Sequence, residues 1–267
     1  MADNNPQKLS AAYRLPASDM DFLLSDSMQG VRFMLEFAKA EEQLRLWGIQ
    51  TTIVVLGSAR VSPTNGNDQT ASADAGGARS RAHVAHWYDE ARRFGRIASE
   101  RGGALTSPNG HRHNVITTGG GPGLMEAANR GAADVGAPSI GFNIQLPLEQ
   151  EPNPYTTPEL TFQFHSFTMR KMHLALRAAA VIAFPGGFGT LAEVFEVLTL
   201  VQTRKARPIP IVCLDRDYWT RVVNFDALLE DGMISPSDFE TVRFADDAEG
   251  AWQELIAAGV RASNAGQ

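Results

Sequence analysis

The residues with the most chemical content form one run, Pro185-Gly186-Gly187-Phe188-Gly189-Thr190-Leu191-Ala192-Glu193. It follows an apolar stretch, residues 180–184, and precedes a helical pattern, so it reads as strand, glycine turn and helix start. Such a turn aims free backbone N–H groups and the positive end of a helix dipole at one spot, which suits a phosphate. Glu193 falls one turn inside the helix, beside whatever the loop holds. A phosphate cradle with a carboxylate next to it points to an enzyme acting on a phosphorylated small molecule. A purely structural alternative exists. Thr190 and Glu193 stand at capping-box spacing, in which each side chain satisfies the other's backbone N–H. That reading explains Thr190 and Glu193 but not the Gly-Gly-Phe-Gly before them.

A second glycine run, Gly119-Gly120-Gly121-Pro122-Gly123-Leu124-Met125-Glu126, invites a dinucleotide reading. The spacing is wrong, because the Rossmann fingerprint needs its third glycine three places after the second, where Leu124 stands. The run is either a tight strand-to-helix turn or a ligand-facing wall, and three successive glycines exceed what a turn requires. Arg170-Lys171 lies on a helical pattern whose inward stripe is Met169, Met172 and Leu176. Two adjacent cations there form either a solvated face or a group reaching the strand ends. His165 and His173 have no carboxylate at a spacing that makes a metal site.

The elements that must position these groups alternate between strand and helix. Apolar or β-branched runs at residues 51–57, 115–118, 139–144, 160–164, 180–184 and 209–214 predict six strands. Helical spacing over residues 83–101, 122–131, 166–177, 218–230 and 249–258 predicts the intervening and C-terminal helices. Residues 27–47 predict an amphipathic helix with Val31, Met34, Leu35, Ala38, Leu44 and Leu46 on its apolar face. Residues 1–17 read as a disordered or loosely docked tail, and 62–81, polar and rich in Gly, Ala, Asn and Asp, as a long mobile loop. The expected fold is α/β, a Rossmann-like doubly wound parallel sheet in one domain (51–260) with an N-terminal tail and helix (1–50). In such sheets ligands bind at the carboxyl ends of the strands, which is where the glycine turns and Gly57-Ser58 fall.

The 267 residues are 43% hydrophobic, enough for a large core, and the net charge is -6 with scattered cations. No basic stripe for nucleic acid or membrane is present, and no apolar stretch reaches transmembrane length, so a cytoplasmic setting is expected. The single cysteine, Cys213, sits in an apolar run as a strand residue and excludes a disulfide within the chain.

Taken in order, these motifs resemble the LOG (Lonely Guy) family of cytokinin riboside 5′-monophosphate phosphoribohydrolases, in its longer bacterial-type form. The resemblance runs from about residue 51 to 248 through Gly57-Ser58-Ala59-Arg60, residues 119–131, residues 146–155, Met169-Arg170-Lys171, the 185–190 loop with Glu193, and Leu198-Thr199-Leu200-Val201-Gln202-Thr203. It implies hydrolysis of the N-glycosidic bond of a nucleoside 5′-monophosphate to free base and ribose 5-phosphate, with activity on AMP as well. Arg170 and Glu193 then match the catalytic pair. Gly186, Gly187, Gly189 and Thr190 match the phosphate loop. Glu149, Lys171 and Thr199 match further substrate contacts, and Gly57, Ser58, Gly120, Gly121 and Met125 complete the pocket. No metal or organic cofactor is implied, and the expected assembly is a homodimer or higher homo-oligomer. Competing readings are an AMP nucleosidase without a hormone role, a non-catalytic nucleotide binder, and a lysine decarboxylase. The last would need pyridoxal phosphate on Lys171, beside Arg170 and without an evident pyridinium partner.

Overall fold

The computed structural model describes residues 3–61, 78–105, 109–146 and 151–261, with backbone alone over 78–84. Seven strands form one sheet: β1 (Thr52–Leu56), β2 (Val115–Thr118), β3 (Ile140–Ile144), β4 (Thr161–Phe164), β5 (Ala178–Ala183), β6 (Ile211–Leu214) and β7 (Val242–Ala245). Every neighbouring pair is parallel, in the order β4-β3-β2-β1-β5-β6-β7. The helices are α1 (Asn5–Leu9), α2 (Met20–Leu23), α3 (Gln29–Leu46), α4 (Ala78–Gly102), α5 (Leu124–Ala133), α6 (Phe167–Leu176), α7 (Phe188–Gln202), α8 (Arg216–Val222), α9 (Phe225–Glu230), α10 (Pro236–Phe239) and α11 (Ala248–Ala257).

The order carries the functional geometry. The chain lays β1 first, builds outward to β4, then returns to place β5 on the other side of β1. That reversal makes the gap between β1 and β5 the topological switch point, where a crevice opens above the strand ends. Residues that follow the two strands meet there, and the Ser58 N–H donates to the Pro185 carbonyl at 3.1 Å.

Strands β1, β2, β3 and β6 are buried along their whole length, which requires helices over both faces. Helices α4 and α5 approach so closely that a Cβ on Gly95 would lie 2.2 Å from the Ala128 carbonyl oxygen, and one on Gly131 1.9 Å from that of Arg92. Cys213 is fully buried in β6, and burial pushes its thiol up to about 12, as suits an inert strand residue. Among the described residues, no helix is long and apolar enough to cross a membrane.

Several expectations need correction. The loop expected over residues 62–81 gives way to helix at Ala78, and its first sixteen residues lie outside the described ones. The expected strand set lacked β7, a short edge strand whose two central residues are only half-buried. The single helix expected over 218–230 is two, because Val223 and Asn224 leave helical geometry and Asn224 caps the second. The apolar face expected in α3 is mostly not buried: Leu44 is, with Ala40 beside it, whereas Met34 is 71% and Leu35 54% exposed.

Candidate functional site

The carboxyl ends of β1 and β5, the β2–α5 turn and the start of α7 enclose a cleft of about 640 Å³. Its floor is the 185–190 loop. Helix α7 begins at Phe188 with Gly187 as N-cap, and no side chain caps it. The capping-box alternative for Thr190 and Glu193 is therefore not what these residues do: Thr190 sits inside the first turn, and Glu193 is engaged elsewhere. The first N–H groups of a 15-residue helix are left for a ligand or solvent. Gly186 is required sterically, since a Cβ there would fall 2.1 Å from the Thr190 hydroxyl oxygen. From α8, the Tyr218 hydroxyl donates to the Gly186 carbonyl and props the loop.

Arg170 enters from α6. Its Nη2 donates to Glu193 Oε1 at 2.6 Å, and the two side chains are only 12% and 15% exposed. The guanidinium also lies over the Phe167 ring, 5.2 Å from its centre. Its Nε is buried without a hydrogen-bond partner among the described residues. Gly119 gives room to Met125, whose Sδ lies 3.0 Å from where a Cβ would stand, while Arg170 Nη1 is at an ordinary 3.8 Å. Burial pushes the Glu193 carboxyl above its ordinary value. Arg170 and Lys171 oppose that shift, and Glu196 adds to it. The result is a carboxylate held in a dry, positively flanked position.

Of the residues singled out in the sequence, Gly57, Ser58, Met125, Arg170, Gly186, Gly187, Gly189, Thr190 and Glu193 line the cleft together. Gly120 and Gly121 do not. They are buried behind it, where the Gly120 carbonyl accepts from Asn153 and Asn143 and the Gly121 carbonyl from Asn153. Gly120 needs its glycine for a left-handed φ of 69° and for Asn143, whose Oδ1 lies 2.0 Å from a would-be Cβ. The tight-turn reading fits these two, and Gly119 and Met125 are the wall. Lys171 turns away to pair with Glu196 at 3.0 Å. Thr199 is exposed two turns further along α7, beside Phe195, and lines a separate small apolar cavity. Glu149 lies outside the described residues.

The sequence of a relative decides the family. Cytokinin riboside 5′-monophosphate phosphoribohydrolase LOG3 of Arabidopsis thaliana is 30% identical over 153 residues, 57% of this chain and 69% of that protein. The chain belongs to the LOG family. The probable enzyme of the same description LOGL3, from Oryza sativa subsp. japonica, is 31% identical over 125 residues, 46% of this chain and 59% of that protein. A family model described as "Possible lysine decarboxylase" matches residues 125–255. The X-ray structure of TM1055 shares the fold at 21% identity, with a TM-score of 0.52 over 78% of this chain and 99% of that one.

In this cleft, sequence reasoning gave no lining role to Arg60 or Tyr218, whereas Gly119 belongs to the run read as a wall. Arg60 was legible, as a cation directly after the Gly57-Ser58 turn. Tyr218 was not. It comes from a helix after β6, 28 residues beyond Thr190, and no local pattern ties it to the loop.

Proposed function

We propose that the chain hydrolyses the N-glycosidic bond of nucleoside 5′-monophosphates, cytokinin ribotides and AMP among them, to free base and ribose 5-phosphate. The observation that carries this reading is the Arg170–Glu193 pair, 2.6 Å apart, in one cleft with an uncapped helix start. The phosphate sits on the N–H groups of the 187–190 turn, which favours a dianion there. That anchor orients the ribose so that C1′ lies near Glu193, using binding energy remote from the bond that breaks.

As the bond between C1′ and the base nitrogen lengthens, positive charge gathers on the ribose, and the Glu193 carboxylate stabilises it. A water oxygen then bonds to C1′ and loses a proton, with Glu193 as the base in reach. The base leaves with the bonding electron pair and takes up a proton. Arg170 stays protonated throughout. It therefore acts as a fixed donor and charge at the cleft wall.

A decarboxylase reading does not fit these residues. A pyridoxal cofactor needs a lysine in the cleft, and Lys171 is held by Glu196 outside it. A pure nucleotide binder needs the loop, but has no use for a carboxylate kept dry beside a guanidinium.

The test is product analysis by chromatography, with wild type and Glu193→Ala on AMP and on isopentenyladenosine monophosphate. Base and ribose 5-phosphate from the wild type alone are expected, and the ratio of the two rates separates hormone activation from AMP turnover. Binding without base release from either nucleotide would remove the enzyme reading.

A homodimer is the assembly that fits. Phe188 is 93% exposed, Phe167 52% and Leu176 51%, all on the helices that carry the pair. Light scattering after size exclusion should give twice the 28.9 kDa chain mass or a multiple of it, and a monomer would end that proposal.

A further inference from the structure

Helix α3 lies outside the sheet, yet it touches the helix that carries Arg170 at three points. At the start of α6, the Glu36 carboxylate accepts the backbone N–H groups of His165 and Ser166, each at 3.2 Å. In the middle, the Phe37 ring stacks on His173, with centroids 5.2 Å apart. At the far end, Glu41 takes two N–H groups of the Arg177 guanidinium, that from Nη2 at 2.8 Å. Arg177 is the C-cap of α6, and its carbonyl in turn accepts the Thr52 N–H at the head of β1.

The contact at Glu36 lies on a short route to the reacting groups. Ser166 is the N-cap of α6, and its carbonyl accepts the Arg170 N–H at 3.1 Å, the first bond of the helix. Arg170 then reaches Glu193. Glu36 thus holds the peptide that holds Arg170. A carboxylate at this end is also the sign that a helix N-terminus favours. We propose that α3 is a clamp on α6 and that Glu36 is a positioning residue for Arg170. This rests on the nucleotide-hydrolase reading of the cleft.

The experiment compares Glu36→Ala, Glu36→Gln and, as control, Glu42→Ala, whose carboxylate is exposed on the same helix. Steady-state kinetics on AMP should show kcat about tenfold lower in Glu36→Ala with KM little changed, because a small misplacement of a charge-stabilising group is felt mainly in the transition state. Glu36→Gln keeps one acceptor oxygen and should fall between. The deciding readout is the acid limb of the kcat/KM profile. Arg170, Lys171 and Glu196 are the charges acting on Glu193. Loosening Arg170 removes a positive charge that favours the carboxylate, so the limb should move to higher pH in Glu36→Ala and stay in place in Glu42→Ala. A wild-type kcat in Glu36→Ala, or a lower kcat with an unmoved limb, overturns the clamp.

If the wild type hydrolyses no nucleotide, the functional reading fails by itself, and hydrogen exchange still decides the clamp. Amides of residues 165–170 should exchange faster in Glu36→Ala than in wild type and Glu42→Ala, and equal exchange overturns it.

Discussion

Glu193 shows how one side chain acquires a task from its surroundings. Burial pushes its carboxyl above the ordinary value, and Arg170 at 2.6 Å opposes that shift without adding water. The carboxyl still titrates above an ordinary glutamate, so the rate should rise with pH through that raised value and level off once it is ionised. Glu193→Gln keeps the shape and removes the charge. Its kcat is expected to fall by about 10²–10⁴ and its acid limb to vanish, measured by pH-dependent base release. A glutamine variant with near-normal kcat would mean that the carboxylate does no chemistry. From sequence, Glu193 was legible as a candidate, but its partner was not fixed by local pattern. Capping-box spacing matched as well as a catalytic role, and only the helix start at Phe188 separates the two.

At the scale of elements, the 185–190 loop depends on one glycine more than on its neighbours. A Cβ on Gly186 collides with the Thr190 hydroxyl at 2.1 Å, whereas one on Gly187 or Gly189 meets nothing within 4 Å. Gly186→Ala should therefore displace the loop, raising KM for AMP about tenfold or more and costing about 1–3 kcal/mol of stability. Gly187→Ala should leave stability close to wild type. Urea titration and initial rates on the pair check both, and equal behaviour would refute the steric account. The glycine runs were legible as turns, since glycine is conspicuous. Which glycines face the cleft was not, because Gly120 and Gly121 answer to Asn143 and Asn153, residues 23 and 32 positions further on. Helix α3 misled for the opposite reason. Its apolar spacing was read as one continuous apolar face, but only Ala40 and Leu44 found a place in the interior.

For the whole molecule, acid stability turns on the aromatic cluster between α3 and the sheet. His173 packs among Phe37, Phe142 and Phe164, with neither ring nitrogen hydrogen-bonded among the described residues. Burial holds its pKa below the ordinary 6.5. Arg177 adds to that shift, and Glu41, 3.5 Å away, opposes it. The unfolded chain then binds a proton that the folded one refuses, so stability rises with pH through this window and is lost as pH falls below about 6.5. Thermal melts between pH 7 and 5 should show a declining Tm, and His173→Leu should flatten that slope. An unchanged slope would mean that other groups set the acid limit. The overall architecture was the most legible level, since alternating strands and helices leave few arrangements. The seventh strand escaped because an edge strand four residues long carries little pattern.

The arrangement of the central strands has a consequence for biosynthesis. Residues 53 and 180 are register partners in adjacent strands, yet 126 residues of chain are made between them. Until the later one emerges from the ribosome, β1 has one bare edge, and pairings of this range close slowly. The nascent chain therefore spends almost half of its synthesis with a largely apolar strand open to strangers. Chaperone dependence during expression is the expected signature, and it should ease when synthesis is slowed by cold.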